Sequence, residues 1–475
     1  MSLTLSQRLA HYVLDLSCKD LPDRVAERVK GRLLHGFVTG LAGFRGPTVQ
    51  GALRVVRNLE KPSGQATVIG SSDRLNPLTA AFLNSLMLGG RNQSDSYRIL
   101  THPGAVVLPS ALAAGEIANA SGQDFLTAVA AGLEVETRMA SGEQTIKTVQ
   151  LRGFRASCTF GVFGSAVAAG KVLGLSEAQF VHCLGLAATF ASGTAEGQRW
   201  GTDETSIQDA QASRNGLWAA LLAREGLRST ETALDGEVGF FQAFTGGGAG
   251  DLSCITDELG HRFELMKIAS KTFPAVGFNQ LPTILMGSMA RRHRIQPEAV
   301  GAIVVDMSHE EVFYPNAQFA KHWPLVGLTE YYVAMGCVHH EFPQVISDSH
   351  IRASAVPGEA APPSADPVTS ARVFEVAKKV FVHFSKERPI YNPRITVRMK
   401  DGRTFTEEIT EEALHLDVDD EVKALKPLLP LTGLSPARWK DLVATIRRVE
   451  ELPNLAPLVA LVRRGEEGAK ARRSR

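Results

Sequence analysis

Apolar residues recur at helical spacing through most of the first 270 positions. Residues 25–41 form one amphipathic run, and residues 109–119 form another that stops at Ser121-Gly122. From Asp124 to about residue 139, Phe125, Val129, Leu133 and Glu136 fall three or four residues apart, the spacing that places side chains on one helix face. The same period runs through residues 155–172 and ends at Gly174. Ser176 followed by Gln179 is a capping box, in which each side chain reaches the other's unpaired backbone N–H. Residues 209–225 continue the pattern, with Gly226 as the helix terminator.

The period changes after Phe273-Pro274. Residues 302–305 are a β-branched run of strand length, and residues 380–384 are a second. Residues 395–399 alternate apolar and polar, Asp401-Gly402 turns the chain, and residues 404–409 return it as a hairpin. Residues 353–367 carry Pro357, Pro362, Pro363 and Pro367 and read as a surface loop. Ser435 then Pro436 is an N-cap with proline at the first helical position, heading a helix over residues 437–449. The fold class expected is mainly α: a large all-helical domain with an inserted smaller α/β (α+β) lid domain. The boundaries follow the texture: helical domain over 1–270, lid over 271–410, helical return over 411–465, charged tail over 466–475.

Composition narrows the functional classes. Lys and Arg number 51 against 50 Asp and Glu, so the chain lacks the basic face that nucleic acid requires. With 44% hydrophobic and 21% charged residues there is ample apolar area for a core. Five scattered cysteines with no C-x-x-C pair fit reduced thiols and argue against a zinc or iron–sulfur centre. The first ten residues have no apolar core of a secretory signal, so a cytoplasmic protein is expected. Two uncharged stretches, 178–195 and 272–290, approach membrane-spanning length. Polar residues in the first and Pro274 and Pro282 in the second make buried helix plus turn the better reading.

Common catalytic motifs are missing. There is no nucleophile elbow, phosphate-binding P-loop, dinucleotide fingerprint or H-E-x-x-H. Gly246-Gly247-Gly248-Ala249-Gly250 has no strand before it and reads as a flexible loop. His339-His340-Glu341 lacks the spacing that would put two metal ligands on one helix face.

One region carries more. Ala81-Phe82-Leu83-Asn84 is followed by Asn92-Gln93-Ser94-Asp95-Ser96, then by Thr101-His102-Pro103-Gly104-Ala105 and on to Pro109. This succession resembles the MmgE/PrpD family, in which A-x-x-N leads to D-F-D-D-T and then H-P-G-A-x-x-x-P-A. Residues 161–175, Asn215-Gly216 through Ala223, and Lys271-Thr272-Phe273-Pro274 resemble further blocks of that family in the same order. The family includes 2-methylcitrate dehydratase, cis-aconitate decarboxylase and iminodisuccinate epimerase. The resemblance therefore implies a cofactor-independent, metal-free enzyme, a lyase of the dehydratase type that acts on a small carboxylate. An isomerase or decarboxylase of the same family, or a non-catalytic carboxylate binder, is the alternative. It also implies a homodimer.

The departures from the family pattern fall on polar positions. His102 and Lys271 are kept, as is one carboxylate, Asp95. Asn92 and Ser94 stand for aspartates, Ser96 for threonine, Thr205 for lysine, Gln208 and Gln280 for histidines, and Trp323 for tyrosine. The substituted amides and hydroxyls hydrogen-bond but do not exchange protons near neutral pH. The resemblance thus leaves His102 and Lys271 as the catalytic candidates. His102 can give or take a proton near its usual pKa of about 6.5. Lys271 can hold a carboxylate or an enolate-like charge. Asn92, Ser96, Thr205, Gln280, Arg199 and Trp323 are the substrate-binding candidates, and no metal site is expected.

Overall fold

A computed structural model of the chain describes residues 3–98, 101–200, 202–313, 329–342 and 367–463. The chain divides into two units: Met1–Ala195 with Ser206–Ile268 and Leu416–Arg475, and Glu196–Thr205 with Ala269–His415.

The first unit is helical. Its helices are α1 (Leu5–Asp15), α2 (Asp23–Gly43), α3 (Pro47–Leu59), α4 (Pro77–Gly89), α5 (Pro103–Ala118), α6 (Gly122–Met139), α7 (Glu143–Leu151), α8 (Ala156–Val172) and α9 (Glu177–Phe190), followed by α10 (Glu204–Arg224), which belongs to this unit from Ser206 onward. Local chemistry sets many of the ends. The predicted capping box heads α9, with Ser176 N–H on Gln179 Oε1 at 2.9 Å and Gln179 N–H on Ser176 Oγ at 3.4 Å. Asn119, left-handed at φ 49°, closes α5. The core is made where α5, α6 and α8 pack on one another. Small residues allow the close approach: a Cβ on Gly132 of α6 would lie 2.7 Å from the Gly164 carbonyl of α8.

Two expectations need correction here. The helix read over 109–119 begins at Pro103, so Pro109 lies inside it. Residues 227–268, read as part of a nearly continuous helical domain, hold one six-residue helix, Phe240–Thr245, among turns and single helical turns. Long-range bonds explain the second. Arg138 of α6, fully buried, donates to the carbonyls of Ile255 (3.3 Å), Asp257 (2.8 Å) and Arg262 (2.5 Å). Glu134, one turn earlier, binds Arg138 and accepts from the N–H groups of Glu264 (3.0 Å) and Leu265 (2.9 Å). This segment satisfies its buried backbone groups on an ion pair rather than within a helix.

The second unit carries α11 (Gln280–Arg292), α12 (Thr329–His339), α13 (Pro367–Ala377) and a four-stranded sheet of β1 (Val300–Ser308), β2 (Val380–Ser385), β3 (Arg394–Met399) and β4 (Thr404–Glu408). The order is β2-β1-β3-β4, with β2 parallel to β1 and the other pairings antiparallel. The expected hairpin pairs Arg398 with Thr404 and Thr396 with Thr406, and Gly402 at φ 88° makes its turn. Residues 353–366 of the expected proline loop lie outside the described residues, and Pro367 begins α13. The chain returns to the first unit through α14 (Val418–Leu425), α15 (Pro436–Arg447), capped by Ser435 as expected, and α16 (Ala456–Val462). The expected tail, 466–475, lies outside the described residues. No described helix is long and apolar enough to cross a membrane.

Candidate active site

His102 sits at a chain reversal. α4 ends at Gly89, the described residues 90–98 hold no regular structure apart from Ser96–Tyr97, and α5 starts at Pro103 with His102 as its N-cap. Proline at the first helical position gives up an N–H that would have had no helical partner. Asp95 ties this reversal together. Its carboxylate accepts the Gly104 N–H, at 2.9 and 3.2 Å, so a negative charge stands at the start of α5. Its backbone carbonyl lies 2.7 Å from His102 Nδ1. A carbonyl only accepts, so Nδ1 carries the hydrogen and the neutral ring has its lone pair on Nε2. Gly104 is needed at this point, because a Cβ there would come within 2.4 Å of Asp95 Oδ2.

A second set of groups holds His102 from its backbone. The His102 N–H donates to Ser157 Oγ at 3.2 Å, and the Ser157 hydroxyl donates to Asp209 Oδ1 at 2.7 Å. Asp209, on α10, also receives both arms of Arg155, the residue before α8, at 2.6 and 2.8 Å. The fork-to-fork geometry fixes the carboxylate in orientation as well as charge. All three residues are buried. Burial alone would raise the Asp209 pKa, but Arg155, His102 and Ser157 outweigh it and hold the group below the usual aspartate value. Sequence reasoning missed this clamp. Its members are about fifty positions apart, and none breaks a helical pattern.

Asp95 borders a further buried network. Glu421 of α14 binds Arg32 and, at 3.0 Å, His35 Nδ1, while His35 Nε2 lies 2.7 Å from the Gln93 carbonyl. Burial raises the Asp95 pKa against the pull of Arg32, His35 and the Gly104 N–H.

The remaining candidates fall in different surroundings. In the first unit, Asn92 is exposed in a left-handed turn at φ 53°, and buried Ser96 donates to the Arg98 carbonyl at 3.1 Å. Gln208 donates to the Thr194 carbonyl at 3.0 Å. In the second unit, Thr205 donates to the Thr202 carbonyl at 3.1 Å. Lys271 is buried there, only 2% exposed. Gln280, at the start of α11, holds the turn beside it: its carbonyl accepts from the Thr272 N–H at 2.9 Å and its amide donates to the Phe273 carbonyl at 2.9 Å. The Arg199 side chain and Trp323 lie outside the described residues.

Comparison with known proteins gives two findings. The MmgE/PrpD N-terminal domain is matched over residues 7–252. Among curated proteins, the cis-aconitate decarboxylase-like protein oryM of Aspergillus oryzae is 27% identical over 96% of this chain and 97% of its own length. The cis-aconitate decarboxylase of Mus musculus is 27% identical over 86% of this chain and 82% of its own. That of Homo sapiens is 26% identical over 98% of this chain and 95% of its own.

Proposed function

The chain belongs to the MmgE/PrpD family, and on that premise we propose that it is a cofactor-independent lyase of a small carboxylate in which His102 moves the proton. The observation that carries this reading is the double hold on His102. One set of buried groups fixes its ring tautomer, and another fixes its backbone. Held in this way, a histidine meets the geometric demand on a general acid or base.

Both lyase reactions open to such a site need that proton. In dehydration, a base removes hydrogen from the carbon beside a carboxylate and the hydroxyl leaves as water. In decarboxylation, the C–CO2 bond breaks and its electron pair must be taken up within the substrate. A conjugated double bond can shift to accept the pair, while an acid delivers a proton to the far carbon. The decarboxylase names of the curated relatives favour the second reaction over the dehydration that the sequence blocks first suggested. Lys271 is the proposed holder of a substrate carboxylate. With Thr205, Gln208 and Gln280 standing where the family has a lysine and two histidines, cation-capable groups are fewer, and a substrate bearing fewer carboxylates than citrate fits.

The test is turnover followed by NMR in deuterated water with cis-aconitate, methylcitrate and smaller unsaturated dicarboxylates. His102→Ala is expected to lower the rate on the true substrate by about 10²–10⁴-fold while leaving the fold intact. A change within about twofold refutes the assignment, far short of that range. Binding without turnover or deuterium exchange on every compound favours a non-catalytic binder. A cytoplasmic homodimer completes the proposal. α10 exposes Ile207 and Trp218, eleven residues and so about three turns apart on one face, where a second copy could pack. Sedimentation as a 51.2 kDa particle at micromolar concentration refutes the dimer.

A further inference from the structure

We propose that Tyr97 is a positioning residue for His102: its phenol, anchored on the buried Glu264 carboxylate, holds the chain reversal that fixes the histidine ring. The inference rests on the proposed function only in taking His102 as the proton-moving group.

Tyr97 lies in the reversal between α4 and α5 and is fully buried. Its hydroxyl donates to Glu264 Oε1 at 2.7 Å. The direction of that bond is fixed, because a carboxylate only accepts. Glu264 is buried too. Burial alone would raise its pKa, but the bonds from Lys267 and Tyr97, with the charges of Lys267 and Arg262, outweigh it and hold the group below the usual glutamate value. Lys267 Nζ donates to the same oxygen as Tyr97, at 2.8 Å, and Arg262 donates to the other. The backbone at Glu264 is tied as well. Its N–H and that of Leu265 donate to Glu134 of α6 at 3.0 and 2.9 Å, and Glu134 is paired with Arg138. The phenol is thus joined to α6 through an ionised acceptor, and a hydrogen bond to a charged oxygen is roughly twice as strong as a neutral one. A core position asks only for a ring, which phenylalanine supplies. The hydroxyl adds a fixed point.

Tyr97 passes that fixed point to His102 by two routes. Its N–H donates to the Thr101 carbonyl at 3.0 Å, and its carbonyl accepts from the Thr101 N–H at 3.4 Å, so the residue just before His102 is bridged to it. Two positions before Tyr97, the Asp95 carbonyl takes the hydrogen of His102 Nδ1 at 2.7 Å. The backbone that carries the imidazole and the carbonyl that selects its tautomer therefore both stand close to Tyr97 along the chain. The clamp of Ser157 and Asp209 reaches the His102 N–H from α8 and α10, and none of its bonds is to the ring. A phenol that served the core alone would, on losing its hydroxyl, soften the 262–267 segment and leave the histidine ring unchanged.

Tyr97→Phe in the full-length chain removes the anchor and keeps the ring. It strands no charge, since Glu264 keeps Lys267 and Arg262. The ring nitrogens of His102, assigned by their loss in His102→Asn, are read by NMR at alkaline pH, above the ordinary histidine pKa of about 6.5. Wild type is expected to show one tautomer, with the hydrogen on Nδ1. In Tyr97→Phe the Nδ1 and Nε2 shifts are expected to draw together as the second tautomer is populated, with amide exchange in α6 and α8 unchanged. Wild-type shifts in the variant overturn the proposal. So does a change that comes with lost protection in α6 and α8, which reports general loosening. Turnover is the second readout: kcat is expected to fall about tenfold or more while KM stays within about twofold, the split produced by a misplaced proton-transfer group. An unchanged kcat overturns the role. The tautomer needs no substrate, so a failure of the proposed function, seen in the turnover of His102→Ala, is distinguishable from a failure here, seen in an unmoved ring. If Tyr97→Phe does not fold, Glu264→Leu removes the acceptor instead. Lys267 and Arg262 have side chains 50% and 39% exposed, so water takes up their charges. The same convergence of shifts is expected, and wild-type shifts again overturn the proposal.

Discussion

Replacing Asp209 by asparagine leaves the Arg155 guanidinium buried against a neutral amide. Arg155 is 6% exposed and Asp209 4% exposed, so neither group has water to fall back on. Removing one partner of such a pair typically costs about 3–5 kcal/mol. Domains of ordinary stability have only about 5–15 kcal/mol in total, so the loss is a large fraction of it. Replacing both partners with apolar residues of similar size removes the desolvation penalty along with the attraction, and is typically neutral to stabilising by about 1–4 kcal/mol. The expectation is therefore strong non-additivity: Asp209→Asn is damaging, while Arg155→Met with Asp209→Leu recovers most of the loss. Hydrogen exchange at the amides of α8 and α10 reads this within the first unit. A cost for Asp209→Asn below about 1 kcal/mol, the range of exposed pairs, refutes the reasoning. So does a double variant as damaged as the sum of its parts. The acid side of the profile checks the same pair. The Asp209 pKa is held below its ordinary 3.8, so its contribution is fully present above that value and lost as pH falls toward the folded-state value. Asp209→Asn should flatten that acid limb. Activity separates the two roles of the clamp. The apolar double variant restores stability but leaves Ser157 without its acceptor, so turnover should stay depressed.

Glu311 is buried in the second unit, accepting from the Tyr391 and Ser308 N–H groups at 2.8 and 2.9 Å, and burial lifts its pKa from 4.5 to about 7 against those two donors. Its folded form prefers the proton, so this unit's stability is highest below pH 4.5 and falls as pH rises to about 7, by on the order of 3 kcal/mol. Thermal unfolding between pH 5 and 7.5 should show that slope in wild type and lose it in Glu311→Gln, and an unchanged slope contradicts the assignment. Gly164→Ala gains about 1 kcal/mol of helix propensity but forces a methyl against Glu136 Cβ and the Gly132 carbonyl. Backbone does not yield, so a net loss of about 1–3 kcal/mol is expected by denaturant midpoint, and a stabilised variant refutes it. Gln280→Ala removes both bonds that shape the turn beside Lys271. It should weaken carboxylate binding by calorimetry if Lys271 is the holder, and unchanged affinity dissociates that turn from binding.

Elements whose signals are local were legible in the chain. Ser176 with Gln179, Ser435 with Pro436, and Asp401-Gly402 between two alternating runs each specify their own geometry within four or five residues. The errors came where a distant partner decides. Pro109 reads as a helix start because proline disfavours helix interiors, yet it lies within α5 and is buried among apolar neighbours. Residues 227–268 carry helical texture, but Glu134 and Arg138, more than a hundred positions earlier, take up the backbone groups of its last part. Periodicity reports only the near neighbours of a residue, so it cannot see such a bond. For the same reason Glu136 read as one more position on a helix face, although it is a fully buried carboxyl with no hydrogen-bond partner among the described residues.

The uncharged replacements bear on whether the site still works. Gln280, Gln208 and Thr205 each spend hydrogen bonds on nearby backbone, holding turns in place. Such duties suit amides and hydroxyls, which do not titrate near neutral pH. Charge stands elsewhere, in the buried groups that fix His102: Asp95 on one side, and Arg155 with Asp209 on the other. A chain that had only to fold gains nothing from that pair, since apolar residues in its place are typically no less stable. What the pair does supply is orientation, through two parallel bonds to one carboxylate and a serine between that carboxylate and the histidine backbone. Orientation of a proton-transfer group matters to a reaction and is of little use to a passive binder. The buried charges that orient His102 therefore weigh toward an enzyme over a passive binder.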